Sequence, residues 1–541
     1  MSYKKNAELF LVSLIMLFAE VALIRWVSTE SRIFAYVNNL VLLSCFLGIG
    51  IGCYYSHRRM RLSFSLLALL ILVLLIDLPF QLNIGNQSLH PFRDIPLMLS
   101  GFADSLIWGE PNITSPYLMT ILGMSATLIL FFVILFIFIP LGQIFGRLLN
   151  ESDHLIATYS INVGASILGI WCFAYLSFLY AAPIIWFALI IAGILLLHFF
   201  QSGNSRFERY SLPVASIFLI LILIFPLKTD KALKTIWSPY QKLQLYELMD
   251  EKADINRGFY LDVNGIVYMS LLDLSNEFID KHPDYYSREL RNLSHYDIPY
   301  LFKDSATNVL ILGCGAGNDV AGALRHGINC IDAVEIDPGI YELGRDYHPE
   351  KPYSNPKVNI IIDDARSFFK KSNRKYDVIS FGLLDAHTLS SSHNNTRIDN
   401  YVYTEESLRE ARERLKEDGI LTLIFEAKFP WMEKRIYGLL WKVFGGEPLA
   451  FQTKLSHNYG WGGIMYVASL NPNTLSKIVD SEPVLKAYLA NRQFSYPESE
   501  FQNGGIRLTT DDWPYFCIEK AGIPGMHLCL MILLGILFLG A

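Results

Sequence analysis

Seven apolar runs fill the first part of the chain, at 7–26, 33–54, 62–80, 117–141, 155–180, 182–200 and 212–227. Each approaches the roughly 20 residues that a helix needs to cross a bilayer. Inside hydrocarbon every backbone N–H and C=O must be satisfied within the chain, so runs of this length are expected as helices. The feature dictates a multi-span α-helical membrane domain over 1–227, with a lipid bilayer as its partner. It is too long and too often repeated to be a signal peptide. An eighth run, 523–541, ends the chain in apolar sequence; a C-terminal transmembrane segment and a longer parent chain are expected. Composition agrees: 52% of the 541 residues are hydrophobic and 18% charged. A net charge of -6 gives no basis for nucleic-acid binding. The seven cysteines include no Cys-x-x-Cys pair, so neither a zinc site nor a disulfide framework is expected.

Within the apolar part, Glu20 and Arg25 are costly charges and therefore candidates for function. Their spacing does not place them together on one helix face, so Glu20 is expected to face another helix and Arg25 to snorkel outward beside Trp26. Gly48, Gly50 and Gly52, and Asn162, Gly164, Ala165 and Gly169, have the spacing of close helix packing.

The polar part turns on Asn308–Leu324. Val309–Leu312 is an all-apolar run of the kind buried on both faces of a parallel sheet. Gly313, Gly315 and Gly317 then allow a tight turn and a close ligand approach. Val320, Ala321, Ala323 and Leu324 have helical spacing, and a second strand, 331–336, brings Glu335 about twenty residues beyond Gly315. That is the separation at which an acid reaches ribose hydroxyls in a βαβ unit. Asn318 stands where a dinucleotide fingerprint has Gly or Ala, and Asp319 would repel a pyrophosphate at the helix start. A cationic, phosphate-free adenosine compound suits the turn better, which points to a sulfonium such as S-adenosylmethionine.

Further strands are expected at 358–362, 376–381 and 420–425, with helices at 340–345 and 405–416, and an antiparallel edge pair at 448–453 and 463–468. Strands alternating with helices argue a doubly wound α/β (Rossmann-like) domain over 306–520, with ligands at the strands' carboxyl ends. Ahead of it, 228–305 reads as a small β-rich region with a hairpin at Asn264-Gly265 and a short strand at 238–241. The acids gather at strand ends: Glu335 and Asp337, Asp363 and Asp364, then Asp385. Asp364, with the Ala365 backbone beside it, suits an adenine amino group or a helix N-cap, and Asp337 before Pro338 suits a cap. The long polar segment 384–403 is expected to cover or bind substrate, with Asp385 and His387 in acid/base or amine-recognition roles. No metal-ligand spacing is present, and no metal is expected.

With these residues in place, the polar part resembles the spermidine synthase (polyamine aminopropyltransferase) family, which has a class I methyltransferase-like fold. More closely, it is similar to the membrane-fused spermidine synthase-like proteins of bacteria. The resemblance is carried by Ser238-Pro-Tyr-Gln241, Gly313-Cys-Gly-Ala-Gly317, Val334-Glu-Ile-Asp337, Asp363-Asp-Ala365, Tyr376-Asp-Val-Ile379, Tyr403-Thr-Glu-Glu406 and Thr510-Asp-Asp-Trp-Pro514. It implies a transferase using S-adenosylmethionine or decarboxylated S-adenosylmethionine, held by Gln241, Gly313, Gly315, Gly317, Asp319, Glu335, Asp337, Asp364 and Ala365. Two departures stand out. Where the soluble family has an Asp holding the aminopropyl amine, this chain has Ala316. Where it has a general-base Asp, three residues ahead of a second Asp, this chain has Gly382 and keeps only Asp385.

Three readings follow. The first is a membrane-anchored transferase acting on an amine, and the second a methyltransferase acting on a lipid or membrane-embedded acceptor. The third is a transporter or sensor whose nucleoside domain only binds; the scarcity of charges in the apolar runs argues against it. The resemblance implies a bacterial-type inner membrane. Lys4, Lys5, Arg58, Arg147 and Arg206 mark alternate loops as cytoplasmic, which for seven spans would put 228–520 outside. A cofactor made in the cytoplasm requires the opposite. We expect a cytoplasmic polar domain, and either one run that does not span or a re-entrant piece in 81–116.

Overall fold

The computed structural model describes residues 3–31, 38–58, 60–84, 87–99, 116–200, 206–224, 231–250, 254–384, 401–427, 429–453, 456–501, 505–520, 522 and 525–539. Two compact units emerge: one of Met1–Lys231 with Ile236–Lys242 and Ile523–Ala541, the other of Ala232–Thr235 with Leu243–Gly522. The segment 228–305, expected as a region of its own, is thus divided between them.

The first unit is helical: α1 (Tyr3–Glu30), α2 (Asn38–Tyr54), α3 (Ser63–Asp77), α4 (Pro116–Asn150), α5 (Leu155–Phe178), α6 (Pro183–Phe200) and α7 (Arg206–Ile224), with a C-terminal helix, Gly525–Leu539. Helices α1, α4, α5 and α6 are long and apolar enough to cross a membrane; α2, α3 and α7 are shorter apolar helices. The expected glycines set the packing. A Cβ on Gly48 would lie 2.5 Å from the Leu135 carbonyl oxygen, and one on Gly52 would lie 2.4 Å from that of Ile139. Gly142 faces the Ile49 carbonyl at 2.5 Å, so α2 and α4 meet backbone to backbone. Gly50 faces open space and takes no part. Gly169 of α5 does the same job against Leu14 of α1. Because backbone cannot move aside like a side chain, Gly52→Val is expected to cost about 3 kcal/mol. A fall in apparent melting temperature in detergent, absent in Gly50→Val, is the measurement.

Glu20 is buried inside this unit, as its position in the first run suggests. Arg25 has partners within the same unit. Its guanidinium donates to the Ser238 carbonyl and lies 5.1 Å from the Trp186 ring centroid. Glu30, one turn on, pairs with Lys242 at 2.7 Å. Ser238–Gln241 is a tight turn rather than a strand: Ser238 N–H donates to the Gln241 carbonyl (2.9 Å), and Ser238 Oγ accepts from Gln241 N–H (3.0 Å). Pro239 has no N–H for a ladder, and a serine side chain that mimics backbone favours turns.

A four-stranded antiparallel sheet follows, β1 (Lys234–Trp237), β2 (Lys242–Asp250), β3 (Ile255–Val263) and β4 (Ile266–Leu272), in that order. Asn264 and Gly265, both at positive φ, turn β3 into β4 as expected.

The large sheet has eight strands: β5 (Asn308–Leu312), β6 (Cys330–Glu335), β7 (Val358–Ile362), β8 (Tyr376–Phe381), β9 (Leu415–Phe425), β10 (Leu449–Gln452), β11 (Ile464–Ser469) and β12 (Gln493–Phe494). Their spatial order is β12-β10-β11-β9-β8-β5-β6-β7. The five strands from β7 to β9 are parallel, and β11, β10 and β12 complete the sheet antiparallel. Val309–Leu312 is completely buried, as a strand covered on both faces must be. Helices α8 (Asn318–Arg325), α9 (Pro338–Tyr347) and α10 (Ala365–Lys371) follow β5, β6 and β7, and α11 (Glu405–Glu413) precedes β9. The helix expected through Lys416 ends earlier. β9 begins at Leu415, and a register shift opposite Tyr376–Val378 absorbs Asp418-Gly419 into the strand.

The chain runs outward from β5 through β6 to β7, then returns to the other side of β5 as β8. The switch point between β5 and β8 leaves an opening at their carboxyl ends, the place where open α/β sheets bind ligands.

Candidate functional site

The glycine turn forms the floor of that opening. Gly313, Gly315 and Gly317 have φ of +64°, +55° and +115°, the left-handed region in which a side chain is strained. The Gly315 N–H donates to Glu335 Oε2 at 2.9 Å, and Asp337 N–H donates to Glu335 Oε1 at 3.0 Å. Each carboxylate oxygen can accept a second bond, so a pair of ligand hydroxyls can still be received. Burial raises the Glu335 pKa to about 7, against the two backbone donors that favour its anion. Asp337 caps α9 through Gly339 N–H (2.9 Å), and Asp364 caps α10 through Ser367 N–H (3.0 Å). Ala365, the first residue of α10, is buried beside it.

Asn318, chosen from sequence only as a departure from a dinucleotide turn, has a larger task. Its Oδ1 accepts from Leu272 N–H at 3.1 Å, and its Nδ2 donates to the Ser270 carbonyl and to the Tyr296 hydroxyl. One buried amide thereby ties β4 to the glycine turn. Tyr353, also missed, donates its hydroxyl to the Gly315 carbonyl at 2.6 Å and holds the turn from behind. Neither has a local sequence signal, because both act across long separations.

A cleft of about 580 Å³, its open mouth included, lies over the turn. Met269, His295, Tyr296, Asp319, Glu426 and Trp461 are among the residues lining it. The Asp319 carboxylate stands in it: its Oδ2 is 3.6 Å from where a Cβ on Gly382 would be. Burial raises the Asp319 pKa to about 7, with Asp297 adding to the effect and Arg325 opposing it. Burial pushes the His295 imidazole down to about 3, so it is neutral at physiological pH.

Of the residues singled out from sequence, the three glycines, Glu335 and Asp337 converge at the turn, with Asp319 facing the cleft. Asp364 and Ala365 sit at the end of the neighbouring β7. Gln241 belongs to the turn Ser238–Gln241 in the helical unit and does not line this cleft. Asp385 and His387 lie outside the described residues.

Two distant motifs meet below the far end of the 384–403 segment. Thr404 Oγ1 donates to Asp511 Oδ1 (2.8 Å), Asp511 N–H donates to Glu406 Oε2 (2.9 Å), and Arg366 reaches Asp511 Oδ2 (2.9 Å). Tyr403-Thr-Glu-Glu406 and Thr510-Asp-Asp-Trp-Pro514 thus form one clamp that fixes where the segment rejoins the fold.

Residues 289–441 match the spermine/spermidine synthase domain. The polyamine aminopropyltransferase of Pectobacterium atrosepticum is 38% identical over 86 residues, 15% of this chain and 30% of that protein. That of Thermoplasma volcanium is 27% identical over 181 residues, 33% of this chain and 56% of that protein. The chain therefore spans between 30% and 56% of the length of these curated relatives. A spermidine synthase structure from Thermotoga maritima aligns with a TM-score of 0.35 and 19% identity, over 50% of this chain and 81% of that one. Within the α/β unit, residues 289–441 are thus similar to a spermine/spermidine synthase domain. Its homologues are polyamine aminopropyltransferases, which are transferase enzymes.

Proposed function

We propose that the protein is a membrane-anchored transferase that moves an alkyl group from a sulfonium cofactor, decarboxylated S-adenosylmethionine or S-adenosylmethionine, to an amine. The observation that carries the reading is Glu335. It sits at the end of β6, fixed by two backbone amides beside a glycine turn at the sheet's switch point. In this reading Glu335 receives the ribose hydroxyls, and Asp364 with the Ala365 backbone receives the adenine. The glycines let the backbone approach the sulfonium. Asp385 and the 384–403 segment orient the acceptor. Catalysis by such a site is mostly positioning for in-line displacement. Helices α1, α4, α5 and α6, by length and composition, hold the enzyme in the bilayer.

The second reading, methyl transfer to a membrane-embedded acceptor, is favoured by Ala316, which supplies no carboxylate for an aminopropyl amine. Calorimetric titration of detergent-purified protein with both sulfonium compounds separates the two, since the preferred donor binds more tightly. No heat with either compound overturns both. Glu335→Gln is expected to weaken binding of the preferred donor about tenfold or more, the worth of a charge-assisted hydrogen bond. Unchanged affinity would remove Glu335 from the site.

A further inference from the structure

The cleft contains a carboxylate, Asp319, to which the cofactor roles proposed above give no part. We propose that Asp319 takes the proton from the acceptor amine, with His295 as hydrogen-bond partner of the incoming nitrogen. The proposal rests on the transferase reading above. Asp319 stands at the first turn of α8 with its carboxylate toward the gap between the ends of β5 and β8. Gly382, directly after β8, has no side chain; a Cβ there would lie 2.9 Å from the Gly313 carbonyl oxygen and 3.6 Å from Asp319 Oδ2. Among the described residues no cation pairs with Asp319. Arg325, the cation on its own helix, is engaged by Asp297 and Glu350, at 2.6 Å each.

The groups facing Asp319 make the place anionic. Asp297 lies within electrostatic range, and Glu426 lines the same cleft. Tyr296, Tyr300, Cys314 and Tyr353 also sense Asp319, and burial keeps each of them protonated. A cation is the missing complement. The aromatic rings of Tyr296 and Trp461 in the cleft suit an alkylammonium.

The second, independent observation is His295. It is 3% exposed and lines the cleft, and its Nε2 has no hydrogen-bond partner among the described residues. A buried polar atom without a partner is costly to leave so, and a ligand that satisfies it gains from the contact. A neutral imidazole nitrogen can accept a hydrogen bond from an ammonium. The Asp319 carboxylate has the complementary property: a base that titrates near neutrality both takes and releases a proton readily.

The step balances. The acceptor R–NH3+ passes one proton to the Asp319 carboxylate. The freed lone pair attacks the carbon on the sulfonium, forming C–N as C–S breaks. The C–S electron pair stays on sulfur, which leaves as a neutral thioether. The product nitrogen is a secondary ammonium, and the Asp319 carboxylic acid returns its proton to solvent.

The test uses full-length, detergent-purified protein with the preferred sulfonium donor and 1,4-diaminobutane as probe amine. Asp319→Asn is expected to lower kcat at least about 100-fold, within the range for a general base. Donor Kd should change less than threefold, the acidic limb near pH 7 of the wild-type kcat profile should vanish, and Asp319→Glu should restore part of it. His295→Phe should raise the KM for the amine about tenfold at unchanged donor Kd. An Asp319→Asn enzyme that keeps more than a third of kcat and its acidic limb overturns the proposal while the transferase reading stands. So does a variant that loses donor affinity but not turnover. A wild type that binds neither sulfonium overturns both.

Discussion

Arg325→Met is expected to destabilise the α/β unit by about 3–5 kcal/mol, the cost of stranding a buried charge. Arg325 donates to Asp297 through Nε (3.1 Å) and Nη2 (2.6 Å), and to Glu350 through Nη1 (2.6 Å). Asp297 is completely buried, just ahead of the short turn Ile298–Tyr300, and its Oδ2 also accepts from the Ser294 hydroxyl at 3.0 Å. Burial alone would raise its pKa; Arg325 and the His326 hydrogen bond reverse that and hold the carboxyl well below its usual range. A depressed carboxylate contributes stability that is present above pH ~4 and lost as pH falls further. Without Arg325 the sign inverts: Asp297 becomes a buried anion left with only Ser294 and His326 as partners, and it folds more readily when protonated. The penalty should therefore be largest at pH 7–8 and shrink towards pH 5. Arg325→Met/Asp297→Asn should recover part of the loss, because the second change removes the more deeply buried of the two stranded carboxylates and leaves Glu350. Urea or thermal unfolding of the three proteins at pH 5 and pH 8 measures all of this. A penalty independent of pH would show that Arg325 matters through packing alone.

That network also marks the limit of what the chain reveals before it folds. The turn at Gly313–Gly317, the acids at the ends of β6 and β7, and the edge pair β10–β11 follow from short-range pattern. Apolar runs, glycines and caps act within a few residues, so sequence displays them directly. The α2–α4 contact was half legible: glycine spacing announced close packing, but only the helix rotation shows that Gly48 and Gly52 are used and Gly50 is not. Asn318, Tyr353 and Arg325 were not legible in these roles. Their partners Ser270, Leu272, Gly315, Asp297 and Glu350 lie 25 to 48 positions away, and nothing periodic links them. The partner of Arg25 was hidden for the same reason. A charge near the end of an apolar helix ordinarily reaches for the interface, whereas this one is claimed by the carbonyl of Ser238, 213 residues further on. Asp319 was read at its helix start as a deterrent to pyrophosphate; its approach to the space beside Gly382 emerges only once β5 and β8 are neighbours.

Asp319 carries the second large effect, and its sign is opposite. Asp319→Asn is expected to stabilise the protein at alkaline pH. Burial raises the carboxyl from an ordinary 3.8 to about 7, so between those values the folded state binds more protons than the unfolded chain. By linkage, the contribution of such a group to stability is fully present below pH ~4 and is lost as pH rises through 7. A shift of about three units corresponds to roughly 4 kcal/mol at 1.36 kcal/mol per unit; because Asp319 also faces the open cleft, about 2–4 kcal/mol is the expected gain. An amide of the same shape never ionises and avoids this cost. The apparent melting temperature of the variant should exceed that of the wild type by roughly 5–10 °C at pH 8, and the excess should shrink to less than half of that at pH 5. Glu335 is raised in the same direction and remains in both proteins, so its contribution cancels in the difference. Thermal melts across pH 5–8 decide the matter without any substrate. Equal melting at pH 8 would mean that the carboxylate is already compensated in the empty protein, and the cleft would then lack the unbalanced negative charge that an amine is expected to neutralise. A stabilised variant that has also lost turnover would instead identify Asp319 as a charge kept for chemistry at the expense of the fold, a trade-off that active sites commonly make.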